Sequence, residues 1–217
     1  MSRIGYPNPM SAELKKRARR KAERPIEILD AAFEEFAKNG YAATRLEDVA
    51  ARASVTKGTI YFYFETKERV FDEMIRYKSQ AFFPELESYA GTLEGSYNAR
   101  LRALMVFVYR KIAEDRPFRE TLRFLIADGS RFPDLVDRHY DEFMRPVIDQ
   151  FRMVIEAGVA AGEFRPSQAS TFTEIVMSPA LLLTVWSLLF GTRRQIDVAV
   201  FTDASIDLLM RGIDTSR

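Results

Sequence analysis

The 217-residue chain has no cysteine. That excludes disulfides, zinc–cysteine sites, iron–sulfur clusters and thiol catalysis at once. It has one histidine, His139, whose carboxylate neighbour at helical spacing is Glu142, too small a set for a metal site or a general base. No phosphate-binding loop, dinucleotide fingerprint or Gly-x-Ser-x-Gly elbow occurs, so no enzymatic activity, cofactor or metal is expected. The net charge is only +1, from 32 basic and 31 acidic residues, and gives no global pull towards nucleic acid, membrane or acidic substrates. The chain also lacks an apolar run near the roughly 20 residues that span a bilayer. Its most apolar stretch, Pro179 to Gly191, reads as a buried helix. With no signal-like segment near Met1, a cytoplasmic location is the expectation.

What is present is a chain with 47% hydrophobic residues, enough to bury a sizeable core. The even charge total hides a split. Residues 1–70 carry 14 basic and 10 acidic side chains, net +4, and residues 71–217 carry 18 and 21, net −3. Residues 1–23 form a basic arm in which Lys15, Lys16, Arg17, Arg19, Arg20 and Lys21 cluster. Such an arm suits flanking phosphates or a minor groove, and a solvated tail with no partner is the plainer alternative.

Apolar spacing of three and four predicts helices throughout and no strand. Pro25 suits a first helical position ahead of Ile26, Leu29, Phe33 and Phe36, and Asn39-Gly40 ends that helix. Thr44 to Glu47 reads as a capping box for a short second helix with Leu46, Val49 and Ala50 inward. Thr56 is placed to cap a third, and a fourth begins near Thr66-Lys67. Beyond it the pattern predicts helices at about 97–113, 118–127, 134–162, 167–190 and 197–211, with a kink or break at Pro146 and at Pro179. Residues 24–70 then make an N-terminal three-helix unit, and 71–217 a larger helical domain.

The second and third helices, joined by a tight turn, have the makings of a helix-turn-helix. One helix braces the other so that the latter can enter a major groove about 12 Å wide. Lys57 and Tyr61 share one face of the third helix, and Gly58 and Thr59 at its leading end let the backbone approach a duplex. Lys57 can donate to guanine acceptors. Tyr61, Tyr63 and Lys67 suit phosphates, as do Thr44 and Arg45 on the other side of the groove. Spacing alone equally allows the two tyrosines to be partly buried aromatics and Lys67 to be an ordinary solvated residue.

The stretch from Gly40 to Glu68 resembles the DNA-binding domain of the TetR family of bacterial transcription regulators. It carries the pattern Gly-aromatic, Thr44, Val49-Ala50, Gly58-x-x-Tyr61-x-x-Phe64 and Lys67-Glu68. Ser54 stands where the family usually has glycine, and Tyr63 where many members have histidine. The resemblance, covering about a quarter of the chain, implies an all-helical homodimer that represses a nearby promoter and releases it when a small molecule binds the second domain. It also carries the DNA-contact role onto Thr44, Arg45, Lys57, Gly58, Thr59, Tyr61, Tyr63 and Lys67. Two-fold symmetry predicts a pseudo-palindromic operator.

Dimerisation has a separate physical basis. The helix around Pro179 to Gly191 is apolar around most of its circumference and needs cover on more than one side. Leu181, Leu182, Val185, Trp186 and Leu189, with Ile206, Leu209 and Met210 of the last helix, are expected to pair with their copies. An effector cavity would draw on Met105, Phe107, Tyr109, Phe118, Phe124, Phe143, Met144, Met153, Phe172 and Met177, which favours an apolar or aromatic effector. No effector residue can be singled out from sequence. The alternative reading is a helical interaction protein resting on anionic membrane through the basic arm. Its residues 12–24 contain Leu14 as their single large aliphatic before Pro25, so no membrane partner is expected.

Overall fold

The computed structural model describes residues 9–169 and 171–215, with side chains described from Glu23 onward except Thr192. The expectations for the side chains from Lys15 to Lys21 therefore lie outside the described residues. The described residues are helical apart from turns and one isolated bridge, Phe164 to Asp214. The chain divides into two compact units between Tyr77 and Lys78, inside the fourth helix rather than after residue 70.

In the first unit, α1 runs Pro9–Ala43, α2 Leu46–Arg52, α3 Lys57–Phe64 and α4 Lys67–Ser79. The helix expected to start at Pro25 starts earlier. Pro25 lies inside α1, where its missing amide removes one hydrogen bond without ending the helix. Gly40 does break it, with φ 74° and ψ 170°, a conformation that a side chain would oppose. The core closes over Phe36, Tyr41 and Phe71, with Phe71 edge-on to the other two at 5.0 Å. Ile28, Val49, Ile60, Val70 and Met74 are fully buried around them.

The α2–α3 corner is a Schellman motif. The amide of Val55 donates to Ala50 O (2.9 Å) and that of Ser54 to Ala51 O (3.2 Å). Ser54 therefore sits at φ 53°, the left-handed position where glycine is usual. Thr56 caps α3 as expected, its hydroxyl accepting from Thr59 N at 3.2 Å. Between α3 and α4, Glu65 has φ 63° and ψ −47°, and Thr66 N donates to Phe64 O at 2.6 Å. This is the rare, strained form of the γ-turn.

In the second unit, α6 (Tyr97–Glu114) packs against α9 (Arg145–Ala160), α10 (Glu174–Phe190) and α11 (Val198–Ile213). Its inward stripe is Leu101, Leu104, Met105, Val108, Tyr109 and Ile112, which repeats at i, i+3, i+4 and i+7. Around it lie α5 (Phe82–Gly91), α7 (Arg116–Asp128) and α8 (Pro133–His139). Helix α5 was not foreseen. Pro84 occupies its first turn, where no amide is needed. Helix 134–162 is interrupted by a π turn at Tyr140–Met144, just before Pro146. Helix 167–190 starts only at Glu174.

Pro179 leaves α10 unbroken. The carbonyl it deprives of an amide, Ile175 O, accepts instead from Ser178 Oγ at 2.7 Å. At the end of α9, a Cβ on Gly158 would lie 2.2 Å from the Phe164 ring. Only glycine lets that ring fold back into the core.

Candidate DNA-contacting face and ligand cavity

Helix α3 buries only Ile60 and Phe64, and so presents its remaining surface outward. Lys57, Gly58 and Tyr61 are exposed, Tyr61 by 43%, which removes its reading as a core aromatic. A Cβ on Gly58 would meet nothing closer than Thr56 Oγ1 at 3.8 Å, so nothing within the protein requires glycine there. Thr59 is half-buried, its hydroxyl 2.9 Å from that of Thr56.

Lys57 is not idle. Its ammonium donates to Glu47 Oε1 at 2.6 Å and lies 5.5 Å from the Tyr61 ring centre. This hydrogen bond holds the Glu47 carboxyl below, and the Lys57 ammonium above, their ordinary pKa values. Sequence reasoning missed Glu47 as a partner because the pair joins two helices across the turn. Phe62, which sequence did not single out, is 72% exposed beside Tyr63.

At the other end, Lys67 opens α4. Its ammonium donates to Ala42 O at 3.3 Å and stands 4.6 Å over the Tyr41 ring. Tyr41 is pinned in turn by its hydroxyl donating to Glu68 Oε1 at 2.7 Å. Arg45 is exposed at the start of α2 and Tyr63 is half-buried. Thr44 departs from expectation. It is 2% exposed, and its hydroxyl donates to the carbonyls of Gly40 (2.7 Å) and Glu35 (3.1 Å). The residue capping α2 is Arg45, without a side-chain cap. The Thr44 hydroxyl thus locks the end of α1 instead of forming a capping box or facing phosphate, because Gly40 leaves carbonyls that need a donor.

A family profile described as bacterial regulatory proteins, tetR family, matches residues 28–74. A second, described as tetracyclin repressor-like, C-terminal domain, matches residues 93–205, more than half of the chain. The chain belongs to the TetR family of bacterial transcription regulators. It is 31% identical over 150 residues to the HTH-type transcriptional repressor KstR2 of Rhodococcus jostii, covering 67% of this chain and 70% of the relative. The fold is shared with the transcriptional regulator FadR of Bacillus subtilis in complex with stearoyl-CoA. There the TM-score is 0.70 at 20% identity, over 86% of this chain and 98% of that one. It is also shared with SmeT, the repressor of the Stenotrophomonas maltophilia multidrug efflux pump, in complex with triclosan. That match has a TM-score of 0.70 at 21% identity, over 89% and 92% of the two chains.

The second unit of this TetR-family chain contains a cavity of about 420 Å³ among α6 to α10. Phe118, Met144 and Met177 from the expected pool line it, with His139 and with residues that sequence did not single out, among them Thr121 and Leu125. Met105, Tyr109, Phe124 and Phe143 are instead buried core, and Phe172 is exposed. The buried Tyr109 hydroxyl donates to Val176 O, and burial pushes its pKa up. His139 stacks on Phe143 with ring centres 5.0 Å apart, and burial lowers its pKa to about 4, so its ring is neutral at pH 7.

The expected dimer residues divide. Leu181, Leu182 and Leu189 are exposed, Val185 and Trp186 are half-buried, and Ile206 and Met210 belong to the subunit's own core. The exposed apolar residues of α11 are Val200 and Leu208. A helix this apolar has two inward-capable stripes, and the contact with α6 decides which one turns inward. Among the described residues no three His, Asp or Glu side chains gather as a metal site, and no helix is long and apolar enough to cross a membrane.

Proposed function

We propose that this TetR-family regulator is a ligand-released repressor that reads duplex DNA with the leading turn of α3. The observation that carries this reading is the outward display of Lys57, Gly58 and Tyr61 on a helix anchored only by Ile60 and Phe64. Lys57 is assigned to guanine edges, Phe62 to a thymine methyl, and Arg45, Thr59, Tyr61, Tyr63 and Lys67 to phosphates. Gly58 admits the duplex backbone. Exchanging Glu47 for a base edge is cheap for Lys57, since exposed ion pairs stabilise by about 0–1 kcal/mol. Lys67 is already aimed, because Tyr41 and Ala42 hold its ammonium at the start of α4.

The exposed faces of α10 and α11 join two copies, which makes the operator pseudo-palindromic. The second unit accepts the effector in its cavity. FadR and SmeT, with stearoyl-CoA and triclosan bound, have the same fold. Release is then a population shift in which the effector prefers, by a few kcal/mol, the form whose two reading heads are wrongly spaced.

The test begins with selection of bound fragments from genomic DNA, followed by titrations of the selected site at several salt concentrations. Lys57→Ala is expected to cost about 1–3 kcal/mol and relax preference at one base pair. Lys67→Ala is expected to weaken all sequences alike and lower the salt slope by about one. The same loss pattern in both variants, or no binding by the unaltered protein at low salt, overturns the assignment.

A further inference from the structure

The cavity's polar inventory narrows what it can hold. Thr121, on α7, is 3% exposed and its hydroxyl has no hydrogen-bond partner. Helical threonines ordinarily return that hydroxyl to the carbonyl four residues back. Thr184 of α10 does so in this same unit, donating to Ala180 O (3.0 Å); Thr202 of α11 is buried and unpaired like Thr121, but it is not among the residues that line this space. Thr121 is among the residues that line the cavity, and its hydroxyl is left unpaired there. A buried hydroxyl left unpaired is costly, and native structures rarely tolerate one without use.

The wall has an inner and an outer end. Ile112, Thr121, Ile148 and Ala180 are buried, whereas Tyr140, Leu181 and Glu174 are exposed at the mouth. Ser178 is already committed to Ile175 O. No Lys or Arg is found among the described residues that line the space. Glu174 is the one carboxylate, and the neutral ring of His139 offers one donor and one acceptor. An anion placed inside would lose its water, meet no counter-charge and face Glu174.

We propose that this cavity takes an uncharged, largely apolar molecule whose single hydrogen-bonding group, a hydroxyl or carbonyl, is received at the inner end by Thr121, and that it discriminates against carboxylates. The proposal rests on the reading of the chain as a ligand-released regulator. It goes further by fixing the charge class of the ligand and the residue that recognises it. The size of the space lies in the range that encloses drug-sized ligands, and the lining by Phe118, Leu125, Met144 and Met177 supplies the apolar and adaptable contact surface.

The experiment uses the full-length protein without DNA and two matched probe sets. The first is 2-naphthylmethanol, 2-naphthoate and 2-naphthylmethylammonium; the second is 1-dodecanol and dodecanoate. Binding is read by calorimetry and by thermal shift at pH 7.5. At least one alcohol is expected to bind tenfold or more tightly than its charged counterparts. Thr121→Val should weaken that alcohol about tenfold while leaving the free protein's Tm equal or higher, since it removes an unpaired buried hydroxyl. Thr121→Ser, which keeps the hydroxyl, should retain binding. Equal or tighter binding of a carboxylate or the ammonium overturns the proposal. So does the absence of binding by either alcohol at its solubility limit, or an undiminished affinity in Thr121→Val. Repeating the titrations with the selected DNA separates the two readings. An alcohol that binds yet leaves the DNA complex intact removes ligand release alone, and release driven by a carboxylate removes only the charge class.

Discussion

His139 shows how much one residue's surroundings change its chemistry. As the chain's single histidine it invites a catalytic or metal role, yet its ring stacks on Phe143 in an apolar wall and its pKa falls to about 4. The folded form therefore resists protonation, and the unfolded chain, near the ordinary value of 6.5, takes the proton first. Above pH 7 both forms are neutral and His139 contributes no pH dependence. As pH falls from 6.5 towards 4, folding loses stability, by about 3 kcal/mol in total. In His139→Gln, denaturant midpoints measured across this window should fall less steeply than in the unaltered protein. Parallel profiles would show that the ring is solvated. Thr44 gives the complementary lesson. Its place in a capping-box pattern was legible, but its hydroxyl turns to the carbonyls of Gly40 and Glu35, because the break in α1 leaves a stronger local demand for a donor.

At the scale of elements, the helix-turn-helix was the most legible part of the chain. Its signals are local, with a cap at Thr56, apolar residues three and four apart, and a turn of fixed length. Even its departure from the family pattern has a structural answer. Ser54 adopts the left-handed position of the Schellman motif, at φ 53°, where a side chain costs about 1–2 kcal/mol. Ser54→Gly should relieve that strain, partly offset by the greater freedom of glycine in the unfolded chain. The expected net effect is a gain of up to about 1 kcal/mol in urea unfolding, with unchanged DNA affinity. A loss of stability would mean that the serine side chain makes a contact worth more than the strain. Prolines were less legible. Pro179 was expected to kink or break its helix, yet α10 runs through it with the orphaned carbonyl of Ile175 satisfied by Ser178. Only Pro146 coincides with an interruption, the π turn at Tyr140–Met144.

At the scale of the whole molecule, the proposed dimer rests on apolar residues that remain on the surface of α10 and α11. Leu182 and Leu189 are seven apart on α10 and exposed, and the chain's single tryptophan, Trp186, lies between them against Phe190. Replacing both leucines by glutamate should halve the mass in sedimentation and shift the tryptophan emission to the red as Trp186 gains water. An unchanged mass would place the interface elsewhere. Ile206 and Met210 could not be separated from these surface residues by sequence, since equally apolar positions compete for one inward stripe and the packing of α11 on α6 settles it. The sequence by itself determined the all-helical class and the helix-turn-helix, because these follow from short-range spacing and capping. Only the tertiary structure decided the Lys57–Glu47 pair, the inward turn of Thr44 and the unpaired hydroxyl of Thr121, a residue of the cavity wall. Each depends on which distant segments share a space, and neither periodicity nor propensity encodes where a void is left.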